Sequence, residues 1–169
     1  MGTRHTRLAA ALSAAWVAEL DTGRHLSALA GRAQSAGEYR RCARVSILAA
    51  FCRGHARRLL DRLAAMGRGP LPIPAEAVEA GPDVAAGLLA DADFGARLQE
   101  RYEQLAQLAR EHCDLSSAWV CDLNRAEWEG MVRELRAMAE PPRPLAGRKA
   151  DVIIIDDPLV ETGDPFQEA

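Results

Sequence analysis

Cys52, His55, Leu59, Leu63 and Met66 recur at three- and four-residue steps within residues 51–67. That spacing stacks them on one face of a helix. Gly67 follows at the place of a helix C-terminal cap. A thiol and an imidazole therefore stand in line with an apolar stripe. Helical bundles build core sites in this way, from polar side chains on inward faces. A chain with such a stretch at its centre is expected to pack helix on helix.

The remaining composition agrees. The chain has 169 residues, enough for one domain with its own core. About half the residues are apolar, mostly Ala and Leu, and only 5% are aromatic, which favours helices over a β-sandwich. Charge is uneven. Residues 1–68 carry 12 Arg and four acidic groups, whereas residues 69–169 carry nine basic and 20 acidic groups. The simplest consequence is attraction between the two halves within one bundle. The functional alternative is a basic surface for an acidic partner. Lys149 is the sole lysine, as a GC-rich bacterial genome would produce.

Cys42, Cys52, Cys113 and Cys121 form no C-x-x-C pair, which argues against a zinc ribbon. Reduced thiols in a cytoplasm are the expectation. No run of 18 apolar residues is present, so no membrane span is expected. Residues 1–6 fit a myristoylation pattern, and residues 1–18 resemble a signal peptide. The helical period continues through Leu20, Leu26 and Leu29, so an ordinary first helix is expected.

Four helices are predicted, at about 5–34, 38–66, 84–113 and, after a short turn at Asp114-Leu115-Ser116-Ser117, onward to about 140. In the first, Glu19 lies within the stripe Leu8, Leu12, Ala15, Leu26, Leu29 and Ala33. A carboxylate there must be paired, metal-bound or at the bundle's end. In the second, Arg40, Arg41, Arg44, Arg53, Arg57, Arg58 and Arg62 are expected to face largely outward. Residues 67–83 contain Pro70, Pro72, Pro74 and Pro82, which forbid a continuous helix. This segment is long enough to run the length of a bundle. Asp83 suits the N-cap of the third helix. Its expected inner face is Leu88, Leu98, Tyr102, Leu105, Ala109 and His112. On the fourth, Trp119, Leu123, Glu127, Met131, Leu135 and Met138 are expected along one side.

Two long helices, a crossing segment and two more helices resemble the ferritin-like pattern. The phrase Cys52-x-x-His55-Ala56-Arg57-Arg58-Leu59-x-x-Arg62-Leu63-x-x-Met66-Gly67 is similar to the second helix of its rubrerythrin-like branch. Glu19 and residues 131–138 share the likeness, which covers roughly residues 5–140. The resemblance implies an all-α antiparallel four-helix bundle (1–140) with a C-terminal extended tail (141–169). It also implies two irons held by carboxylates and Glu-x-x-His pairs. Here Glu19 falls at the helix-one ligand position and His55 at the helix-two histidine, with Cys52 in place of the glutamate. Helix three offers Glu100 or Glu103. Helix four offers Glu127, with Gly130 and Met131 where a histidine is required. The candidate metal set is thus Glu19, Cys52, His55 and Glu127, with iron the implied metal. Cys52 beside His55 also resembles a thiolate–imidazole nucleophile, without a third orienting group.

After Pro141, Pro142 and Pro144 the chain changes character. Residues 150–158 look like a Walker B strand, but the phosphate-binding loop that chemistry needs is missing. Val152, Ile153, Ile154, Ile155 and, further on, Phe166 are candidate partner-binding residues. Such a segment lies against the bundle, adds to a partner's edge or stays loose. The leading expectation is a non-catalytic structural or adaptor protein that binds protein partners and carries no cofactor. Self-association remains open. The alternatives are an iron-handling oxidoreductase and a nucleic-acid-binding subunit using the Arg40–Arg62 face. If Glu19 and Glu127 are metal-free paired groups, Glu19→Leu is expected to be tolerated or stabilising.

Overall fold

The computed structural model describes residues 2–69, 81 and 83–140. Four helices account for nearly all of them: α1 (Gly2–Ser35), α2 (Tyr39–Ala65), α3 (Val84–Glu111) and α4 (Leu115–Ala139). The expected all-α, four-helix architecture is therefore observed, with helix ends within a few residues of those read from the sequence. Val152, Ile153, Ile154, Ile155 and Phe166 lie outside the described residues. Among the described residues no helix is long and apolar enough to cross a membrane.

Local chemistry sets the helix ends. Gly67 takes a left-handed φ of 70° directly after α2, and Arg68 N–H closes back on Leu63 O at 2.9 Å. The Asp83 carboxylate accepts from Ala85 and Ala86 N–H at 2.8 and 3.2 Å, and Asp114 accepts from Ser117 N–H at 3.0 Å. Each satisfies backbone donors that the first helical turn leaves open.

Helix directions follow from cross-helix contacts. Gly87, at the start of α3, lies against Leu29 near the end of α1. Arg44 near the start of α2 meets Glu134 late in α4, and Arg62 near the end of α2 meets Asp114 at the start of α4. Hence α1 and α4 run one way while α2 and α3 run the other. The end of α2 and the start of α3 therefore lie at opposite ends of the bundle. At 1.5 Å per residue the 27 residues of α2 make it about 40 Å long. The tightest pairings are α1 with α2 and α3 with α4.

The core is Leu- and Ala-rich, as composition suggested: Leu8, Leu12, Leu26, Leu29, Leu59, Leu63, Leu88, Leu98 and Leu135 are all buried. On α4 the inward side differs from the sequence expectation. Trp119 is 63% exposed, whereas Trp128 is fully buried. The expected stripe stepped by four residues, and each such step drifts about 40° around a helix of 3.6 residues per turn. Met131, Leu135 and Met138 still face the core, but three steps back Trp119 has rotated out. On α3, His112 lies beyond the last helical residue and is only half-buried.

The charge asymmetry resolves into packing. Arg44 and Arg58 of α2 pair with Glu134 and Glu127 of α4, and Arg62 pairs with Asp114 at the α4 N-cap. Arg58 and Arg62 thus turn toward the neighbouring helix instead of facing solvent. The attraction between the basic and acidic halves operates largely across this one interface.

Candidate functional site

Midway along the bundle, apolar side chains give way to a hydrogen-bonded polar cluster fed by all four helices. Glu19 comes from α1, Cys52, His55 and Arg58 from α2, Tyr102 from α3, and Asn124, Glu127 and Trp128 from α4. Each sits in line with an inward stripe or at its edge, and the packing of the four helices brings them to one level.

Glu19 and His55 are both fully buried. Glu19 Oε1 accepts three hydrogen bonds: from Tyr102 OH at 2.6 Å, Trp128 Nε1 at 2.7 Å and His55 Nδ1 at 3.1 Å. His55 Nε2 faces Glu127 Oε2 at 2.8 Å. One imidazole therefore bridges two carboxylates, and donating to both takes a proton on each ring nitrogen. Arg58 grips Glu127 with two nitrogens, at 2.7 and 3.1 Å, and also donates to Asn124 Oδ1 at 2.7 Å. Asn124 Nδ2 donates to Tyr102 OH at 3.1 Å, which closes the ring of contacts.

The electrostatics follow from burial. Burial, and then the Glu19 carboxylate, push the Tyr102 phenol well above its ordinary pKa. The Cys52 thiol is raised by the same two causes, which keeps it a neutral thiol and a poor nucleophile. Burial also tends to raise Glu127, but hydrogen bonds from Arg58 and His55, and their charges, outweigh it and hold that carboxyl below its usual value. Asp114 is likewise lowered against the pull of burial, by Ser117 and Arg62.

A depressed folded-state pKa contributes stability above the unfolded carboxyl pKa and loses it as pH falls through the folded value. Asp91, which burial raises against the opposing charge of His25, contributes with the opposite sign. We expect the urea midpoint to fall from about pH 5 to about pH 3, and to fall less in Glu127→Gln. A flat wild-type profile over that range would contradict the pairing.

All four candidate ligands of the sequence reading come to this level. Glu19, His55 and Glu127 share one network, and Cys52 lies on its Glu19 side. Glu100 and Glu103 are both exposed, and Tyr102 occupies the inward position between them. Arg58, Asn124 and Trp128 were not anticipated as site residues. Asn124 and Trp128 are four residues apart and so share a helical face next to Glu127, a signal open to inspection in the sequence. Nothing in it shows that Arg58 bends inward.

No protein-family model and no curated protein matches the chain. Solved structures do. Bacterioferritin from Desulfovibrio desulfuricans, described with a diiron site in different catalytic states, superposes with a TM-score of 0.75 over 80% of each chain at 18% identity. The fold is the ferritin-like four-helix bundle. A DPS protein from Vibrio cholerae O1, described as a member of a superfamily of ferritin-like diiron-carboxylate proteins, gives 0.68 at 15% identity. That match covers 82% of this chain and 92% of the other.

Within this ferritin-like bundle the side chains do not fit a pair of metal ions. Among the described residues, no three or more His, Cys, Asp or Glu side chains converge to hold a metal ion. His55 uses both nitrogens on the two carboxylates, the Arg58 guanidinium is engaged with Glu127, and Glu19 Oε1 is surrounded by N–H and O–H groups. A cation there would meet donors instead of lone pairs. Glu19 Oε2 is buried without a hydrogen-bond partner among the described residues.

Proposed function

We propose that this chain is a non-catalytic ferritin-like bundle, a structural or adaptor protein that binds protein partners through a bundle face or through its C-terminal tail (141–169). The observation that carries the reading is the Arg58–Glu127–His55–Glu19 relay. A guanidinium and an imidazole balance the two carboxylates that a metal would otherwise hold. The relay places positive charge beside both carboxylates, and burial keeps the neighbouring Cys52 a neutral thiol, a poor nucleophile. Its role is to satisfy buried polar groups and fix helix register.

Support for a protein-binding face comes from the surface. Ile47 and Phe51 stand exposed one turn apart on α2, as do Leu115 and Trp119 on α4. Large apolar side chains of this kind, Trp above all, anchor protein interfaces. Support for a nucleic-acid face is weaker, because Arg44, Arg57, Arg58 and Arg62 are engaged by carboxylates.

The iron-handling alternative draws on one observation, the unbonded Glu19 Oε2 beside Cys52. Elemental analysis of purified, untagged protein, followed by iron and manganese titration at neutral pH, separates the two readings. The expected result is metal-free protein that does not respond to the titration. Near-stoichiometric metal that disappears in His55→Ala would overturn the structural reading.

A further inference from the structure

A long groove runs between α1 and α3 on the side away from the α2–α4 ion pairs. It consists of two hollows of about 550 Å³ each, which share Ala14 and Arg101. Its floor is small and apolar, with Ala14 and Val17 from α1 and Phe94 from α3. Arg7, Arg97 and Arg101 line it. Arg97 stacks over the Phe94 ring, and none of the three has a carboxylate partner among the described residues. Of the acidic groups along the groove, Asp21 pairs with Arg24 and Asp91 with His25, which leaves Glu111 at the far end. The groove is therefore apolar at its base and carries uncompensated positive charge on its rim.

We propose that this groove is the docking site of the chain's own residues 150–169. This inference goes beyond the structural reading of the bundle centre and does not depend on it. Residues 150–169 carry six carboxylates and no basic group, the complement of the rim. Their apolar run Val152–Ile155 is bracketed by Asp151 and by Asp156-Asp157, so carboxylates lie on either side of a segment suited to an apolar floor. Reach is sufficient. Residue 140 is at the end of the bundle where α1 finishes and α3 begins, the end nearer His25 and Asp91. Residues 141–149 span up to about 30 Å when extended. The groove from His25 to Arg7 covers 18 helical residues, about 27 Å, less than residues 150–169 can span. Salt pairs with Arg97 and Arg101 fix direction and register, and the apolar run supplies most of the binding.

Amide hydrogen exchange on the full chain, followed by NMR at low protein concentration, tests this. The amides of residues 152–155 are expected to exchange at least about tenfold more slowly than an unstructured peptide at low salt. The double variant Arg97→Glu/Arg101→Glu removes the protection while the bundle amides of α2 and α4 keep theirs. Adding Asp156→Arg/Asp157→Arg to that variant restores it. Unprotected amides in the wild type would overturn the proposal. So would protection that survives charge reversal, or that rises with protein concentration because a second copy supplies the groove.

Discussion

Exchanging Glu19 for leucine is expected to lower the unfolding free energy by about 3–5 kcal/mol. For a chain of this size that is roughly 10 °C in thermal midpoint. Leucine approximates the volume, so the loss does not come from a cavity. It comes from three buried donors, Tyr102 OH, Trp128 Nε1 and His55 Nδ1, which share Glu19 Oε1 as acceptor. Each donor left without a partner costs about 1–3 kcal/mol. The structure therefore reverses the sequence expectation that the substitution is tolerated. That expectation treats Glu19 as half of a simple pair, and replacing a whole pair by apolar groups is often harmless. Removing one shared acceptor from a cluster is a different operation. Glu19→Gln keeps the oxygen and is expected to cost less, about 1–2 kcal/mol. Urea unfolding of the two variants measures the difference. A leucine variant within about 0.5 kcal/mol of wild type would mean that the cluster is not built around this carboxylate.

The second large effect is expected at Gly95. An alanine methyl there would come within 2.5 and 2.6 Å of the Trp128 ring carbons Cζ3 and Cε3, and 3.0 Å of Val132 Cγ2. Alanine gains up to about 1 kcal/mol over glycine in a helix interior. The clash outweighs that gain, because the indole is fully buried and its N–H is committed to Glu19. The ring cannot move aside without breaking the polar cluster, so a net loss of about 2–3 kcal/mol is expected. Gly130→Ala supplies the contrast. Nothing lies within 4 Å of the added carbon at that position, and the same substitution is expected to stabilise by up to about 1 kcal/mol. Thermal unfolding of both variants should show opposite signs. A neutral or stabilising Gly95→Ala would mean that α3 and α4 can separate at this crossing at little cost.

The pair of predictions shows how α3 positions the centre. Gly95 lets α4 approach closely enough for the Trp128 ring to pack against it, and the indole N–H then reaches Glu19 on α1. Tyr102, two turns further along α3, supplies the second donor to the same oxygen. A packing detail between two helices thus fixes a hydrogen bond to a third.

Much of the fold was legible in the chain. Periodicity over Cys52–Met66, the left-handed glycine at 67, the capping Asp83 and the prolines of residues 67–83 are local signals, and local signals act through backbone geometry that needs no neighbours. They determined four helices, their approximate ends and an all-α bundle. The inward placement of Glu19 and His55 was legible for the same reason, since each lies on a stripe defined by its own helix. Tertiary structure alone decided what those groups meet. Helical period says that a side chain faces inward, but it does not say at which level, or across which interface, it finds a partner. Arg58 reads as one more outward arginine until α4 brings Glu127 and Asn124 beside it. Trp119 and Trp128 exchange places once the rotation of α4 is set by packing on α3. The chemistry of the centre depends on those rotations and levels, which arise only when four helices exclude water together.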